Sequence, residues 1–410
     1  LVSKIYKGCW YNTPLNKILK IKKERGDEMP TKNIKIIVGS NYGDEGKGLT
    51  TDYFCNPSEK WLGVLTNGTS QRAHTVDTVD GKHHVFSHFS SGTFQGADTY
   101  ISEHFAINPI TFVNEYLTLQ NKFDITPNVY IHPDCKIITP FDILANLTER
   151  EQSGLHNTCG NGFWKTLERY NEGYGIGRIS FFYKKNEFWM EYLNNIEEYY
   201  KYKLKNIDLN FNGIKAHFIN DLQFVLDHSF IIGDEILKIY SNIIFENGQG
   251  LLIGRQSSRV DWDFCTPSNT GMKYAYNIIE NNIINANVEV CYVSRTYLTR
   301  HGDGELINEC GVEDINKSII DYTNIPNACQ GSLRFSCFND EQLINRLYED
   351  WVNNISPPHY FLSKNNYKCS LMLTHWNEKQ IELENIKICN LFNGKIYISD
   401  GKTKESIRSI

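Results

Sequence analysis

Apolar and polar positions along the chain follow two alternating patterns. Short runs rich in Ile, Val and Leu end in polar turns that carry glycine. Between them lie longer stretches with apolar residues three and four apart. The first pattern marks buried strands and the second amphipathic helices. Strands are predicted at 35–39, 63–68, 129–133 and 242–250, and further strands begin at 288 and 369. Helices are predicted from Gly46 to Phe54, over 109–123 with a proline at the start, and over 188–204. Strands that alternate with helices predict an α/β fold, with a large, mainly parallel central sheet covered by helices. Ligand loops in such folds lie at the C-terminal ends of the strands.

Four polar segments follow apolar strands: NYGDEGKG (41–48), NGTSQRAHT (67–75), ENGQG (246–250) and LTHWN (373–377). A single glycine-rich turn is more often only a turn, and a lone histidine such as His74 is more often a packed core residue than a catalyst. Together the four supply backbone amides, a lysine, a carboxylate, a histidine and a glutamine. That set suits phosphoryl transfer to an oxygen, with donors for phosphate, a base for the acceptor and neutral groups for developing charge. The first segment is not a Walker A loop. Six residues separate Gly39 from Gly46, Gly48 follows Lys47 where Ser or Thr would hold magnesium, and Asp44 and Glu45 sit inside the loop.

Composition narrows the class. The chain has 410 residues, of which 40% are hydrophobic and 22% charged, with a net charge of −6. This fits a globular protein and argues against a nucleic-acid binder. No apolar run approaches the roughly 20 residues of a membrane span. The 11 cysteines are dispersed without a CxxC pair, which reads as reduced thiols and a cytoplasmic setting. Residues 1–28 are charged and differ in character from the rest, and Met29 directly precedes the first strand. They read as a dispensable N-terminal extension to a single domain over 29–410.

GDEGKG after a strand resembles the signature WGDEGKG of the adenylosuccinate synthetase family. Further segments are similar to the family in the same order: NGTSQRAHTV to GGHNAGHT, TCGNG (158–162) to TTGRG, FENGQGLLI to FEGAQGTLL, CTPSNT (265–270) to VTSSNT, SRTYLTRHGDGELINE (294–309) to YSTRVGAGPFPTE, and SDGK (399–402) to the nucleotide-base loop. The resemblance runs from residue 33 to about 404. It implies a ligase that joins L-aspartate to C6 of a 6-oxopurine nucleotide through a 6-phosphoryl intermediate, driven by a nucleoside triphosphate and Mg2+. It also implies a homodimer.

By resemblance, Asp44 is the base for the N1 proton and a magnesium ligand, and Ala73 offers a second metal contact through its carbonyl. Lys47 neutralises the transferring phosphoryl group, His74 serves the bridging oxygen, and Gln249 holds the intermediate. Gln71, Thr158, Cys159, Thr266, Arg334 and Arg300 are implied for the acceptor nucleotide and aspartate. Gly43, Glu45, Gly46, Lys47, Gly48, His375, Asn377, Ser399 and Gly401 are implied for the triphosphate.

The departures matter as much. HNAGH reads SQRAH, so Gln71 stands for asparagine and Arg72 is new. TTGRG reads TCGNG. GRRRR reads GSLRF, which leaves Arg334 alone in the aspartate loop, with Arg295 and Arg300 upstream. Arg178 is the candidate for the arginine that bridges subunits. The base-reading TKLD reads THWN, with Asn377 for the aspartate. A carboxylate pairs with the two adjacent donors of guanine, whereas an amide matches the donor and acceptor of adenine. ATP is therefore expected over GTP. Two acceptors stay open: IMP, favoured by Asp44, and dGMP, as in phage relatives. A noncatalytic nucleotide-binding module is the reading from another class.

Overall fold

The computed structural model describes residues 31–153, 159–174, 177–184, 186–256, 264–320, 331–355 and 363–410. The expected extension over residues 1–28 and the start at Met29 lie outside these, as does Thr158. Ten strands form the central sheet. In chain order they are β1 (Lys32–Gly39), β2 (Trp61–Leu65), β3 (Asp98–Ile101), β4 (Val129–Ile131), β5 (Phe230–Ile231), β6 (Asn242–Gly250), β7 (Ala286–Arg295), β8 (Asn366–Thr374), β9 (Ile396–Ser399) and β10 (Ile407–Ser409). Their order in space is β10-β9-β8-β7-β1-β6-β2-β3-β4-β5. Neighbours run parallel except β9 and β10, which are antiparallel. The mainly parallel α/β fold read from the pattern is the fold observed.

The central strands are apolar on both faces because both faces are covered. From β1, Ile34, Ile36 and Val38 enter one core with Ala275, Ile278 and Ile279 of helix Lys273–Asn282 and Leu343 and Leu347 of helix Asp340–Ile355. Ile37 points the other way, into a core with Leu49 from α1 (Lys47–Phe54). A flanking bundle packs Phe112, Tyr116 and Leu119 of α2 (Pro109–Phe123) against residues of helices Trp189–Tyr200 and Phe211–Asp227. The predicted helix 109–123 has the predicted bounds, and Asn108 Oδ1 caps it by accepting from Ile110 N at 3.2 Å.

Some expected strands end early. The one over 63–68 stops at Leu65, and the run from 288 to 300 is two strands. The chain leaves the sheet at Thr296 and re-forms as Leu298–His301 in a separate three-stranded sheet with Leu333–Ser336 and Glu309–Cys310. These breaks put turns, not ladders, at the C-terminal ends of β2 and β7. The ends of β1, β2, β6, β7 and β8 thus lie side by side, and β1 sits between β6 and β7.

Asp350 ties the helix layer to the sheet. Its Oδ2 accepts from Tyr292 OH at 2.9 Å and from Met272 N at 3.2 Å. Burial pushes its carboxyl up to about 6, against the opposing effect of these hydrogen bonds. A raised carboxyl binds its proton more tightly in the folded state. The burial cost is therefore absent below the ordinary value near 3.8, grows between 3.8 and about 6, and is complete above that. Asp350→Asn is expected to raise stability above pH 6 by on the order of 2–3 kcal/mol and to leave it nearly unchanged at pH 4. Urea midpoints of both proteins across this range check it. A gain that is equal at both pH values would point to packing instead.

Candidate functional site

The aligned strand ends open into one cavity of about 1330 Å³. Its first wall is the loop from Gly39 into α1. Glu45 is buried at the loop's centre, where its Oε1 accepts from Asn41 N at 2.9 Å and Gly43 N at 2.8 Å. Its Oε2 lies 3.2 Å from Lys47 Nζ, which also donates to Gly43 O. Thr374 Oγ1 holds the Glu45 carbonyl at 2.8 Å. Glu45 thus shapes the loop from within and is absent from the cavity lining, whereas Gly43, Asp44, Gly46, Lys47 and Gly48 line it. Gly46, in the left-handed region at φ 92, precedes the helix. A Cβ on Gly48 would lie 2.6 Å from the Thr75 carbonyl oxygen. This close packing of α1 on the 74–77 strand explains why glycine stands where a Walker loop has Ser or Thr.

Asp44 projects from the loop, partly exposed. Its Oδ2 is 3.2 Å from His301 Nε2, and its own carbonyl accepts from Arg295 Nε. Burial raises its carboxyl, but the hydrogen bond and charge of His301, then Arg295 and Lys47, outweigh this and hold it below the usual range. Asp44 is therefore ionised at neutral pH and can accept a proton or a cation.

A second wall is the turn after β2. Buried Glu246, on β6, receives Ser90 Oγ at 2.6 Å, Ser91 N at 2.9 Å and Ser91 Oγ at 2.8 Å. Arg72 Nη2 donates to Glu246 Oε2 and also lies 2.8 Å from His74 Nδ1. For Glu246, burial opposes ionisation, but Arg72, the His74 contact and Ser90 bring its carboxyl down to about 2. His74 is pushed down to about 3 by burial first and Arg72 next, and is neutral. Sequence reasoning missed Glu246, His301 and Glu378. For Glu246 the signal was there: a carboxylate within an otherwise apolar strand must find partners once buried.

Most of the expected residues meet in this cavity. Gln71, Ala73, Cys159, Gln249, Thr266, Arg300, His375, Asn377 and Gly401 line it. Gln249 Nε2 reaches Gln71 O at 3.4 Å. Ala73, Gln249 and His375 have left-handed backbones, at φ 42, 67 and 59. They are the described left-handed residues other than Gly, Asn and Asp, and all three line the cavity. Strained backbone held at a cavity wall is a mark of function. His375 Nδ1 pairs with Glu378 Oε2 at 3.0 Å, and Tyr297 OH donates to the same oxygen.

Besides Glu45, two expected ligand residues, Ser399 and Arg334, do not line the cavity, and Arg178, expected to bridge subunits, lies outside it. Ser399 is fully buried, and its Oγ donates to Gly401 O at 2.8 Å, so it shapes its turn from behind. Arg334 does not line the cavity. Its Nε and Nη2 grip the Glu309 carboxylate and its Nη1 donates to the Gly302 and Gly304 carbonyls. The guanidinium fork is filled by a carboxylate of the chain itself. Arg300, its cross-strand partner, lines the cavity and stacks on Tyr42 at 4.9 Å. Arg178 is exposed and pairs with Asp134 at 2.6 Å, away from the cavity.

Asp44 and the Ala73 carbonyl are the candidate metal donors. Both are oxygen groups beside a phosphate loop. Magnesium is commonly held by one or two protein oxygens together with substrate phosphates, so the donor set fits it. Among the described residues no helix is long and apolar enough to cross a membrane.

Residues 36–323 match the family model described as Adenylosuccinate synthetase. Adenylosuccinate synthetase from Lactobacillus acidophilus is 29% identical over 293 residues, which cover 67% of this chain and 66% of that protein. The chain thus spans just under two thirds of the length of that curated relative. Among solved structures, the fully ligated adenylosuccinate synthetase of Plasmodium falciparum aligns with a TM-score of 0.68 at 14% identity, covering 92% of this chain and 100% of that one. Cyanophage S-2L succinoaminodeoxyadenylate synthetase, bound to dGMP and dATP, aligns with a TM-score of 0.58 at 15% identity, covering 92% and 95%. At these identities the two structures speak to the fold alone.

The packing of α1 gives a direct test. Gly48→Ser should destabilise the protein by roughly 1–3 kcal/mol, because its Cβ meets main-chain atoms that cannot rotate away. Urea unfolding measures this, and an unchanged midpoint would show that the helix can shift freely.

Proposed function

The chain belongs to the adenylosuccinate synthetase family, and from that premise we propose that it is a C–N ligase joining L-aspartate to C6 of a 6-oxopurine nucleotide. The observation that carries the reading is Asp44, an ionised carboxylate in one cavity with Lys47, His74 and Gln249. A pure binding module has no need of a base beside a phosphate loop.

In this reading Asp44 takes the N1 proton of the purine and O6 attacks the terminal phosphorus of the triphosphate. The bond to the bridging oxygen breaks and the diphosphate leaves. Lys47 and His74 stabilise charge on the transferring group, and Gln249 orients the 6-phosphoryl intermediate. The amine of aspartate then attacks C6, and phosphate departs. Magnesium, held by Asp44 and the Ala73 carbonyl, would neutralise phosphate charge. Thr266, whose buried hydroxyl has no hydrogen-bond partner among the described residues, is offered to the acceptor's own phosphate. Arg300 replaces Arg334 as the guanidinium for an aspartate carboxylate.

IMP is the favoured acceptor, which would make adenylosuccinate the product. The dGMP alternative is kept because Arg72 and Gln71 depart from the family pattern near the base, and dGMP is what the cyanophage protein is described with. Purified protein with aspartate, Mg2+, a triphosphate and IMP, dIMP, GMP or dGMP in turn should yield a succino-nucleotide detectable by mass spectrometry. Asp44→Ala should lower turnover by roughly a thousandfold or more. No product from any acceptor would overturn the ligase reading.

The donor follows from the turn after β8. Asn377 is exposed into the cavity, while the neighbouring Glu378 carboxylate is engaged by His375 and Tyr297. An amide mismatches guanine at one of two positions, which costs roughly 1–3 kcal/mol. ATP is expected to exceed GTP in kcat/KM by about tenfold to a hundredfold. Asn377→Asp should move the preference toward GTP, and a GTP preference in the unaltered chain would refute the argument.

A further inference from the structure

Arg72 stands where the family pattern has alanine, and the phosphoryl-transfer reading leaves it without a task. Its side chain is buried and carries a charge that Glu246 balances. Its Nη2 reaches two atoms at once: Glu246 Oε2, and His74 Nδ1 at 2.8 Å. Glu246 Oε2 is the other neighbour of His74 Nδ1, at 3.3 Å.

A neutral imidazole has one N–H and one bare nitrogen. A guanidinium has donors only, and remains protonated in proteins. If His74 carried its proton on Nδ1, two N–H groups would face each other across 2.8 Å. The contact is favourable in one arrangement: Arg72 Nη2 donates one hydrogen to Glu246 and the other to a bare Nδ1. The proton of His74 then resides on Nε2. Nε2 is buried, has no partner among the described residues, and belongs to a side chain that lines the cavity. Without Arg72, the nearest group to Nδ1 would be the Glu246 carboxylate. A carboxylate accepts only, so the proton would move to Nδ1 and Nε2 would become an acceptor.

We propose that Arg72 is a positioning residue that fixes His74 as the Nε2–H tautomer, so that a neutral histidine presents a hydrogen-bond donor to an anionic oxygen in the cavity. The second nitrogen of a histidine is set by the bond its first nitrogen makes. Here that bond comes from a cation rather than from a carboxylate, and this reverses the tautomer. A doubly protonated ring would also turn an N–H toward the donor-only guanidinium at 2.8 Å, so the same contact requires the neutral form. The group that meets the oxygen is thus a neutral donor beside two fixed cations, Arg72 and Lys47. The tautomer stands on this geometry alone. Its use on a phosphoryl oxygen rests on the ligase reading.

The test is a long-range 1H–15N correlation spectrum of the full chain, 15N-labelled at histidine and recorded at neutral pH. His74 is assigned by the signal lost in His74→Gln. The expected spectrum has His74 Nε2 in the protonated range and Nδ1 in the unprotonated range. In Arg72→Ala the two nitrogens should exchange ranges, and Glu246 keeps its three bonds from Ser90 and Ser91. In Arg72→Lys, another donor-only side chain, the original assignment should hold. A purely structural arginine would move stability and not the proton. A protonated Nδ1 in the unaltered chain, or an unchanged tautomer in Arg72→Ala, would overturn the proposal. Should Arg72→Ala fail to fold, Arg72→Met, which keeps much of the volume without a donor, should show the same exchange of ranges, and an unchanged tautomer there would equally overturn the proposal. None of these readings needs turnover, so a failed product assay would sink the ligase reading and leave this one standing.

Discussion

The buried carboxylate of Glu246 is the point on which the cavity depends. In strand register it lies between Ile37 of β1 and Leu65 of β2, in the middle of the sheet. A lone charge there would be very costly, and it persists because partners converge on both oxygens. Those partners come from two separate stretches, the turn that carries Arg72 and His74 and the segment that carries Ser90 and Ser91. One charge therefore fixes two loops against the end of a strand. The orientation of His74 is a consequence of that fixing.

Glu45 does the same for the 39–48 loop at shorter range. It gathers the amides of Asn41 and Gly43 and the ammonium of Lys47 around one carboxylate. The cavity lies between two anionic anchors, each neutralised by its own cation and backbone donors. Asp44 is the carboxylate left partly exposed between them, with His301 at its side. Three acids from the walls of one cavity thus differ in setting. Two are enclosed and hold loops, and the third faces the space where chemistry would occur.

The chain's own carboxylates also engage residues expected to hold ligand. Glu309 occupies the fork of Arg334, and Glu378 is held by His375 and Tyr297. Arg300 and Asn377 line the cavity, as do His375, Glu378 and Tyr297, whereas Arg334 and Glu309 do not. The chain's own carboxylates are thus competitors for these side chains at the edge of the cavity.

The sequence alone determined the grammar of the molecule. Ile-rich runs ending in glycine turns marked the parallel sheet, the proline marked the start of helix 109–123, and the four polar segments marked the walls of the cavity. These are local properties, set by side-chain period and backbone preference over a few residues. The tertiary structure decided the rest. Glu246 and Arg72 are 174 positions apart, and Arg295 and Asp44 are 251 apart. The first meeting follows from β6 lying beside β2 and the second from β7 lying beside β1, which no local pattern reveals. The expectation for Arg334 was built on its being the last arginine of its loop, and the loop could not show that Glu309 on a neighbouring strand would take it. Residue type and spacing specify what each strand end offers. Strand order and the competition among buried charges specify which of those groups are left to act.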